Sequence, residues 1–204
     1  MALPLLFPQV LMFPQHVEVD GWSIYSEVPL PRPALDAVLA DATRRVKSSP
    51  IADPAGETRT VVLTTGGWRW NMLALQSRKS FALTRAATNY MVINRSDVSA
   101  NRMANGPPGG AARTLSSIIA HETCHGMVRR HFGLLADLTK PAWLREGYCD
   151  YVAQESTLDE ARAAEIKARG EDHPAMVYFE GRKRVAATLA ANGGDVEKLF
   201  AEAQ

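Results

Sequence analysis

The stretch "SSIIAHETCHGMVRR", residues 116–130, decides the fold, because it combines helical periodicity with two histidines, His121 and His125, four positions apart. Its apolar spacing runs through the stretch and slightly beyond it, which predicts one long helix. Thr114 is placed to cap the start of this helix, and Gly133 can end it. The helix therefore determines where both imidazoles point, and it opens the second half of the chain.

The two histidines lie on one face of the predicted helix. Residues four apart are separated by about 40° around a helix axis, so both rings can reach a single metal ion. Glu122 lies beside that face, where it can hold a water molecule without taking a ligand position. Chance produces this pattern in roughly one chain of this size in a hundred. A helix with two hydrogen-bonded histidines therefore stays open as an alternative.

A catalytic zinc usually takes three protein ligands and leaves one position open, so the motif predicts a third ligand elsewhere. One candidate is His131, which follows His121 at the spacing of the metzincins. A metzincin also has a glycine three residues before that histidine, where this chain has Val128. The other candidate is Glu146 in the segment "PAWLREGYCDYVA". We expect Glu146, because Pro141 begins a new helix that can pack antiparallel to the first.

The residues around Glu146 extend this interpretation. Asp150 lies four positions later and shares its helix face. It can accept a hydrogen bond from the free ring nitrogen of His121, as carboxylates behind zinc-binding histidines commonly do. Gly147 is unfavourable in the middle of a helix and so predicts close approach of another backbone. A charged outer face is the alternative for Glu146 and Asp150.

The HETCH motif, a spacer of 20 residues and the segment "WLREGYCDY" together resemble the gluzincin clan of zinc peptidases. The W-L-x-E-G string is similar to that of membrane alanyl aminopeptidases, and the E-x-x-x-D spacing is similar to thermolysin. The resemblance covers residues 114–200. It implies a zincin-like fold, a zinc ion bound by His121, His125 and Glu146, and Glu122 as the general base.

A second, weaker resemblance concerns the donor that stabilises the oxyanion. The segment "YFEG" is similar to the Y-x-K-G segment of the aminopeptidases, with Glu180 in place of the lysine. This implies that Tyr178 hydrogen-bonds the developing oxyanion. Thermolysin uses a histidine in this position, which makes His173 the alternative donor. A tyrosine that only packs in the core is the remaining interpretation.

The aminopeptidase pattern is incomplete upstream of the helix. Those enzymes carry a G-x-M-E-N string whose glutamate holds the free amine of the substrate. The nearest string here is "RMAN", residues 102–105, with Ala104 in place of the glutamate. We therefore expect cleavage inside peptides rather than release of N-terminal residues. The strand that ends at Ile93 is expected to be the edge strand that receives the substrate backbone.

The amino-acid composition limits the classes of partner that we expect for this chain. The chain has 204 residues, of which 46% are apolar, with 23 Lys plus Arg against 22 Asp plus Glu. The nearly balanced charge gives no electrostatic field that would attract nucleic acid, and a peptide or protein substrate is expected. The two cysteines, Cys124 and Cys149, show no metal-ligand spacing, and we expect two reduced, buried thiols, with a bridge as the alternative. Composition does not set the oligomeric state.

The N-terminus is apolar but contains prolines at positions 4, 8 and 14. No positive charge precedes the apolar run, and the run is too short and too broken to span a membrane. We expect residues 1–20 to form an extended arm packed on the domain, with contact to a membrane or a partner as the alternative. The default expectation for the location is the cytoplasm.

Strand and helix patterns alternate in the first half of the chain, and helical patterns alone follow. The sequence predicts an α+β, zincin-like fold: a small mixed β-sheet with helices, then the H-E-x-x-H helix and an all-α half. One domain is expected over residues 21–204, with its subdomains divided after residue 112. Strands are expected at 21–28, 58–65, 80–84 and 89–96. Helices are expected at 34–49, after Gly67, at 114–132, at 142–156, at 158–169 and at two places after residue 174. Loops are expected at 49–57 and 101–111.

These observations predict a zinc-dependent peptidase of gluzincin type. One alternative is a zinc-binding domain without turnover that serves as an interaction module. The other is a metzincin-type site with His131 as the third ligand. The presence of Glu122 favours an enzyme, because a structural zinc has no use for a general base.

Overall fold

The computed structural model describes residues 3–53, 59–104 and 113–202. These residues form a mixed α+β fold, as the sequence pattern predicts. The sheet lies in the N-terminal half, and the described residues after 113 form helices and connecting turns only. The expected loops at 49–57 and 101–111 are described as far as residues 53 and 104, and the rest of each lies outside the described residues.

A five-stranded mixed sheet carries the N-terminal half, in the order β1-β2-β3-β5-β4. Strands β2, β3 and β5 are parallel, and the two outer strands run antiparallel to their neighbours. An additional antiparallel pair, β6 and β7, was not predicted. The strands are β1 (Gln15–Val19), β2 (Trp22–Ser26), β3 (Thr60–Leu63), β4 (Ala82–Thr84), β5 (Met91–Ile93), β6 (Ser96–Asp97) and β7 (Arg102–Met103).

The prediction that the strand ending at Ile93 is the edge strand of the sheet is wrong. Strand β5, which ends at Ile93, lies between β3 and β4, and β4 is the edge. A tight turn joins the two strands: Asn89 adopts a φ of 54°, and the Arg85 amide donates to the Tyr90 carbonyl oxygen at 2.9 Å. Periodicity locates both strands of such a hairpin but does not say which one lies outside.

The helices follow the predicted order closely, with two additional short ones. The segment Leu3–Leu6 and the connection after Gly133 are helical, whereas neither was predicted to be. The helices are α1 (Leu3–Leu6), α2 (Arg32–Lys47), α3 (Trp68–Ala74), α4 (Leu115–Phe132), α5 (Ala136–Thr139), α6 (Ala142–Ala153), α7 (Glu160–Ala168), α8 (Met176–Asn192) and α9 (Val196–Glu202), with a 3-10 helix at Pro8–Leu11.

Helix α4 lies at the centre of the molecule. It begins as predicted, because the Thr114 hydroxyl accepts a hydrogen bond from the Ser117 amide at 3.2 Å, and it ends at Gly133, whose φ is 96°. Most of its length is buried on every side, between the sheet with α2 and the helices that follow. The histidine motif is thereby held on a helix that has little freedom to move.

Helices α6 and α8 pack closely because Gly147 and Gly181 face each other. A Cβ atom built on Gly147 would lie 2.3 Å from the carbonyl carbon of Gly181. A Cβ atom on Gly181 would lie 2.4 Å from the carbonyl oxygen of Trp143. The close backbone approach predicted at Gly147 is therefore confirmed, and it brings α8 alongside the helix that carries Glu146.

The N-terminal arm differs from the extended segment that was expected. It contains α1 and the 3-10 helix, and residues Gln15–Val19 form β1 of the sheet. Leu11 and Phe13 pack against the apolar cluster around Trp70. Met12 is 83% exposed. No helix within the described ranges has the length and apolar character needed to cross a membrane.

Cys124 and Cys149 form a disulfide between α4 and α6, so the prediction of two reduced thiols is wrong. Their Cα atoms are 5.3 Å apart, within the usual range for a disulfide. Sequence spacing could not show this, because the pairing depends on which faces of the two helices meet. A crosslink across 25 residues contributes about 3 kcal/mol in the chain-entropy account.

Candidate metal centre

Three side chains from α4 and α6 converge on one point. The Nε2 atoms of His121 and His125 are 3.2 Å apart. Oε2 of Glu146 lies 3.4 Å from Nε2 of His121 and 3.5 Å from Nε2 of His125. These three residues form a group that could hold a metal ion. The structure thus brings together the two motif histidines and the glutamate that the sequence analysis selected.

The spacing of these atoms fits a tetrahedral zinc ion. Bonds of about 2.0–2.1 Å at tetrahedral angles place neighbouring ligand atoms about 3.3 Å apart. The three measured separations, 3.2, 3.4 and 3.5 Å, lie close to that value. Two imidazoles and one carboxylate are also a donor set found in catalytic zinc sites. The residues present therefore fit a zinc ion with one position left open.

Asp150 fixes the orientation of His121. Its Oδ1 lies 2.8 Å from Nδ1 of His121, so the other ring nitrogen faces the ligand group. The same oxygen accepts a hydrogen bond from Nη1 of Arg113 at 2.8 Å. Burial favours a raised pKa for Asp150, but the charge of Arg113 and the bond to His121 outweigh it, and the pKa is lowered. Asp150 therefore remains an anion behind the histidine.

The ligand group is electrostatically suited to a cation. Burial would raise the pKa of Glu146, but hydrogen bonds from His121 and His125 outweigh it and hold the pKa far below its usual range. Burial would lower the pKa of His121, but its bonds to Asp150 and Glu146 raise the pKa overall. The raised pKa of His121 reports the negative charge of Asp150 and Glu146 around its ring, and the lowered pKa of Glu146 shows that this carboxylate stays an anion.

Glu122 lines the same cavity as the ligand group. Its side chain is buried, and Oε2 accepts a hydrogen bond from the Thr84 hydroxyl at 2.6 Å. The same hydroxyl lies 3.0 Å from the Glu122 carbonyl oxygen. Strand β4 thus fixes one carboxylate oxygen of Glu122.

Tyr178 and His173 both line the same cavity as the ligand group. The Tyr178 ring lies 6.2 Å from the His121 ring, centroid to centroid. Burial and the charges of Glu146, Asp150 and Glu122 raise the pKa of Tyr178 well above its ordinary value, so its hydroxyl stays protonated and can donate. His173 is partly engaged, because its Nδ1 accepts a hydrogen bond from the Ala175 amide at 3.2 Å.

His131 and Ala104 lie away from this group. His131 is at the end of α4, where its Nε2 contacts a carboxylate oxygen of Glu197 on α9. Ala104 follows β7 and does not line the cavity. Glu146, and not His131, therefore lies in the group that could hold a metal ion.

The cavity that contains these residues has a volume of about 900 Å³. Residues 80–84, which include all of β4, form one wall, and residues of α4, α6 and the start of α8 contribute to the others. Such a volume accommodates several residues of a peptide rather than a single small ion.

Sequence reasoning missed two residues of this site. Thr84 and Arg113 both contact residues of the H-E-x-x-H or E-x-x-x-D motifs, but they lie 38 and 37 positions from their partners. Neither belongs to a motif, and the local pattern around each indicates only a strand or a loop.

A comparison of the chain with protein families, one with curated proteins and one with solved structures each found no match.

Proposed function

We propose that this chain is a zinc-dependent peptidase of gluzincin type with a zincin-like fold. The observation that carries the proposal is the triangle of ligand atoms from His121, His125 and Glu146, with sides of 3.2–3.5 Å. Glu122 beside that triangle supports hydrolysis rather than a structural role for the metal. The 900 Å³ cavity around the group supports a peptide-sized substrate.

Each residue of the site has a separate role in the proposed reaction. A zinc ion bound by the three ligands would supply positive charge that acidifies a water molecule and polarises the scissile carbonyl group. The free oxygen of Glu122 accepts a proton from the attacking water and later delivers it to the leaving amine. The Tyr178 hydroxyl donates a hydrogen bond to the carbonyl oxygen as negative charge develops there. Asp150 keeps His121 in the tautomer that leaves Nε2 free to bind.

The edge strand β4 is suited to hold the substrate backbone. Its inner side pairs with β5, and no other strand of the described residues pairs with its outer side. All three of its residues line the cavity, next to Glu122. A peptide added along this edge gains main-chain hydrogen bonds that do not depend on its sequence. This arrangement supports broad recognition of extended peptides.

We expect cleavage inside peptides, insensitive to N-terminal acetylation. The carboxylates of described residues that line the cavity are Glu122 and Glu146, and both already have functions in the proposed reaction. Neither is left to bind a free amine. Digestion of a peptide library in free and acetylated forms, followed by mass spectrometry, tests this. Efficient release of single N-terminal residues that acetylation abolishes would contradict it. No cleavage of any peptide by zinc-loaded protein would favour the interaction module.

Replacement of Tyr178 by phenylalanine tests the oxyanion donor. A hydroxyl that acts only on developing charge contributes in the transition state and not in the ground state. We expect kcat to fall by about 10²-fold or more with KM nearly unchanged. Steady-state kinetics on a library-derived peptide measures both, and Tyr151→Phe, on an exposed tyrosine, is the matched control. If Tyr178→Phe is fully active and His173→Gln is not, His173 is the donor.

A further inference from the structure

Exposed apolar side chains are concentrated in two segments of the N-terminal half. Among the described residues, eight of the thirteen large apolar side chains that are exposed belong to residues 3–12 or to α3 and the residue that ends it. Soluble proteins rarely leave such groups clustered at the surface unless they contact a partner or a membrane. We call these eight side chains the apolar face: Leu3, Leu6, Phe7, Val10, Met12, Trp68, Met72 and Leu75.

Helix α3 contributes to this face because it is apolar on two sides. Trp70 and Leu73 are buried in a cluster with Val62 and Val92 of the sheet. Trp68 and Met72 are four residues apart, about 40° around the helix axis, and both are exposed. A surface helix normally carries polar residues on its outer side. The outer side of α3 instead leaves an apolar stripe in contact with solvent.

The N-terminal arm has a similar stripe. Leu3, Leu6, Phe7 and Val10 follow the spacing of one helical face. The Phe7 amide donates to the Leu3 carbonyl oxygen at 2.8 Å, and the Val10 amide donates to the Phe7 carbonyl oxygen at 3.1 Å. These bonds join α1 to the 3-10 helix that follows it. All four side chains are exposed, so this segment also presents apolar groups to solvent.

Arg69 joins the arm to α3. Its Nε donates to the Leu11 carbonyl oxygen and its Nη2 to the Met12 carbonyl oxygen, both at 3.1 Å. The same guanidinium lies 4.6 Å from the centre of the Trp68 ring and 5.4 Å from that of Phe13. Met12 and Trp68, which are 83% and 56% exposed, therefore lie on either side of one side chain. The two apolar stripes meet at this point.

The sequence around the apolar face carries positive charge only. Residues 3–17 and 66–96 contain five basic residues and no acidic one, although the whole chain has 23 Lys plus Arg against 22 Asp plus Glu. Arg69 is paired with Glu27 at 3.0 Å, whereas Arg78 and Lys79 are exposed directly after α3. Trp70 holds this end in place, because its Nε1 donates to the Arg78 carbonyl oxygen at 2.9 Å. The basic residues are Arg69, Arg78, Lys79, Arg85 and Arg95.

We propose that the apolar face docks this protein on the surface of an anionic lipid bilayer. Its side chains enter the boundary between headgroups and acyl chains, where tryptophan is favoured, and Arg78 and Lys79 contact the headgroup phosphates. A second copy of the chain fits this face less well, because a two-fold contact brings the same basic residues of both copies together. The docking does not depend on the proposed peptidase reaction, so either can fail alone.

Docking would also set the position of the candidate metal centre. Arg78 and Lys79 line the cavity that contains His121, His125 and Glu146. The basic end of the docked face is therefore also one border of the cavity. Polypeptides held at the same lipid surface would then be the substrates closest to the site.

Flotation of the wild-type protein with lipid vesicles tests the proposal. We expect vesicles of phosphatidylcholine with about one third phosphatidylglycerol to bind the protein at least about 10-fold more strongly than phosphatidylcholine alone. Arg78→Gln with Lys79→Gln should remove most of this difference, at about fivefold for each charge. Lys183→Gln with Arg184→Gln, the same change at an adjacent exposed pair on α8, should leave it unchanged.

The apolar contribution needs its own pair of variants. Met12→Ser with Trp68→Ser should weaken binding to the anionic vesicles by at least about 10-fold, since two large side chains no longer leave water. Both residues are exposed, so we expect the fold to persist, and circular dichroism checks it. Leu134→Ser with Leu135→Ser, at two exposed leucines that follow α4, is the matched control and should bind like the wild-type protein.

Three results would overturn the proposal. One is wild-type protein that binds neither kind of vesicle. Another is binding that Met12→Ser with Trp68→Ser leaves intact. The third is a wild-type dimer in analytical ultracentrifugation that the same two substitutions dissociate, because the apolar face is then the contact between two copies of the chain.

Discussion

Glu122→Gln is expected to abolish peptide hydrolysis while the protein keeps its fold and its metal ligands. The substitution removes no ligand atom, and the amide has nearly the shape of the carboxylate. The Thr84 hydroxyl can still donate to the side-chain oxygen that it contacts at 2.6 Å. What is lost is the oxygen that accepts the proton of the attacking water. We expect kcat/KM to fall by at least about 10⁴-fold, the upper end for one acid or base group, because proton delivery to the amine fails as well.

The comparison needs a control with the same chemical change. Glu18→Gln, at an exposed position of strand β1, alters a carboxylate that does not line the cavity and should leave activity unchanged. Circular dichroism establishes that both variants are folded. Retention of more than about a hundredth of the wild-type rate by Glu122→Gln would exclude Glu122 as the general base.

Gly147→Ala is expected to cause the largest loss of stability. The new methyl group would lie 2.3, 2.6 and 2.7 Å from three backbone atoms of Gly181. Backbone atoms cannot rotate away, so α6 and α8 must separate. Overpacking usually costs about 1–3 kcal/mol and more where nothing yields, and we expect the upper end or beyond, even after the gain of up to about 1 kcal/mol in helix propensity.

Chemical denaturation measures this change as a fall in the free energy of unfolding. Gly67→Ala is the matched control, because a Cβ atom there meets only the Thr65 hydroxyl at 3.7 Å. Separation of the two helices also moves Tyr178 relative to Glu146, so activity should fall with stability. Unchanged stability in Gly147→Ala would mean that the helices pack less closely than the structure shows.

Much of the fold could be predicted because its signals are local. The N-cap at Thr114, the end at Gly133 and the apolar spacing between them fix α4, and their effects depend on neighbouring residues only. The same holds for the pairing of His121 with His125, since helix geometry alone determines it. Gly147 predicted a close contact, because glycine destabilises the interior of a helix and is expected there mainly where another backbone approaches closely.

The remainder depends on contacts between distant parts of the chain. The disulfide, the outer position of β4 and the inclusion of Gln15–Val19 in the sheet follow from how elements pack, which periodicity does not record. The contacts of Thr84 with Glu122 and of Arg113 with Asp150 join a strand and a loop to helices that come much later. Only the folded arrangement shows that these two residues belong to the site.

The zinc content of the purified protein tests the central claim most directly. We predict one zinc ion per chain in wild-type protein prepared without added metal, measured by elemental analysis. His121→Ala and Glu146→Gln should lose the ion, whereas His131→Ala, the same change at the far end of α4, should retain it. Folded wild-type protein that holds no zinc, even after incubation with zinc and dialysis, would contradict the account. So would a site that His131→Ala empties and Glu146→Gln leaves full.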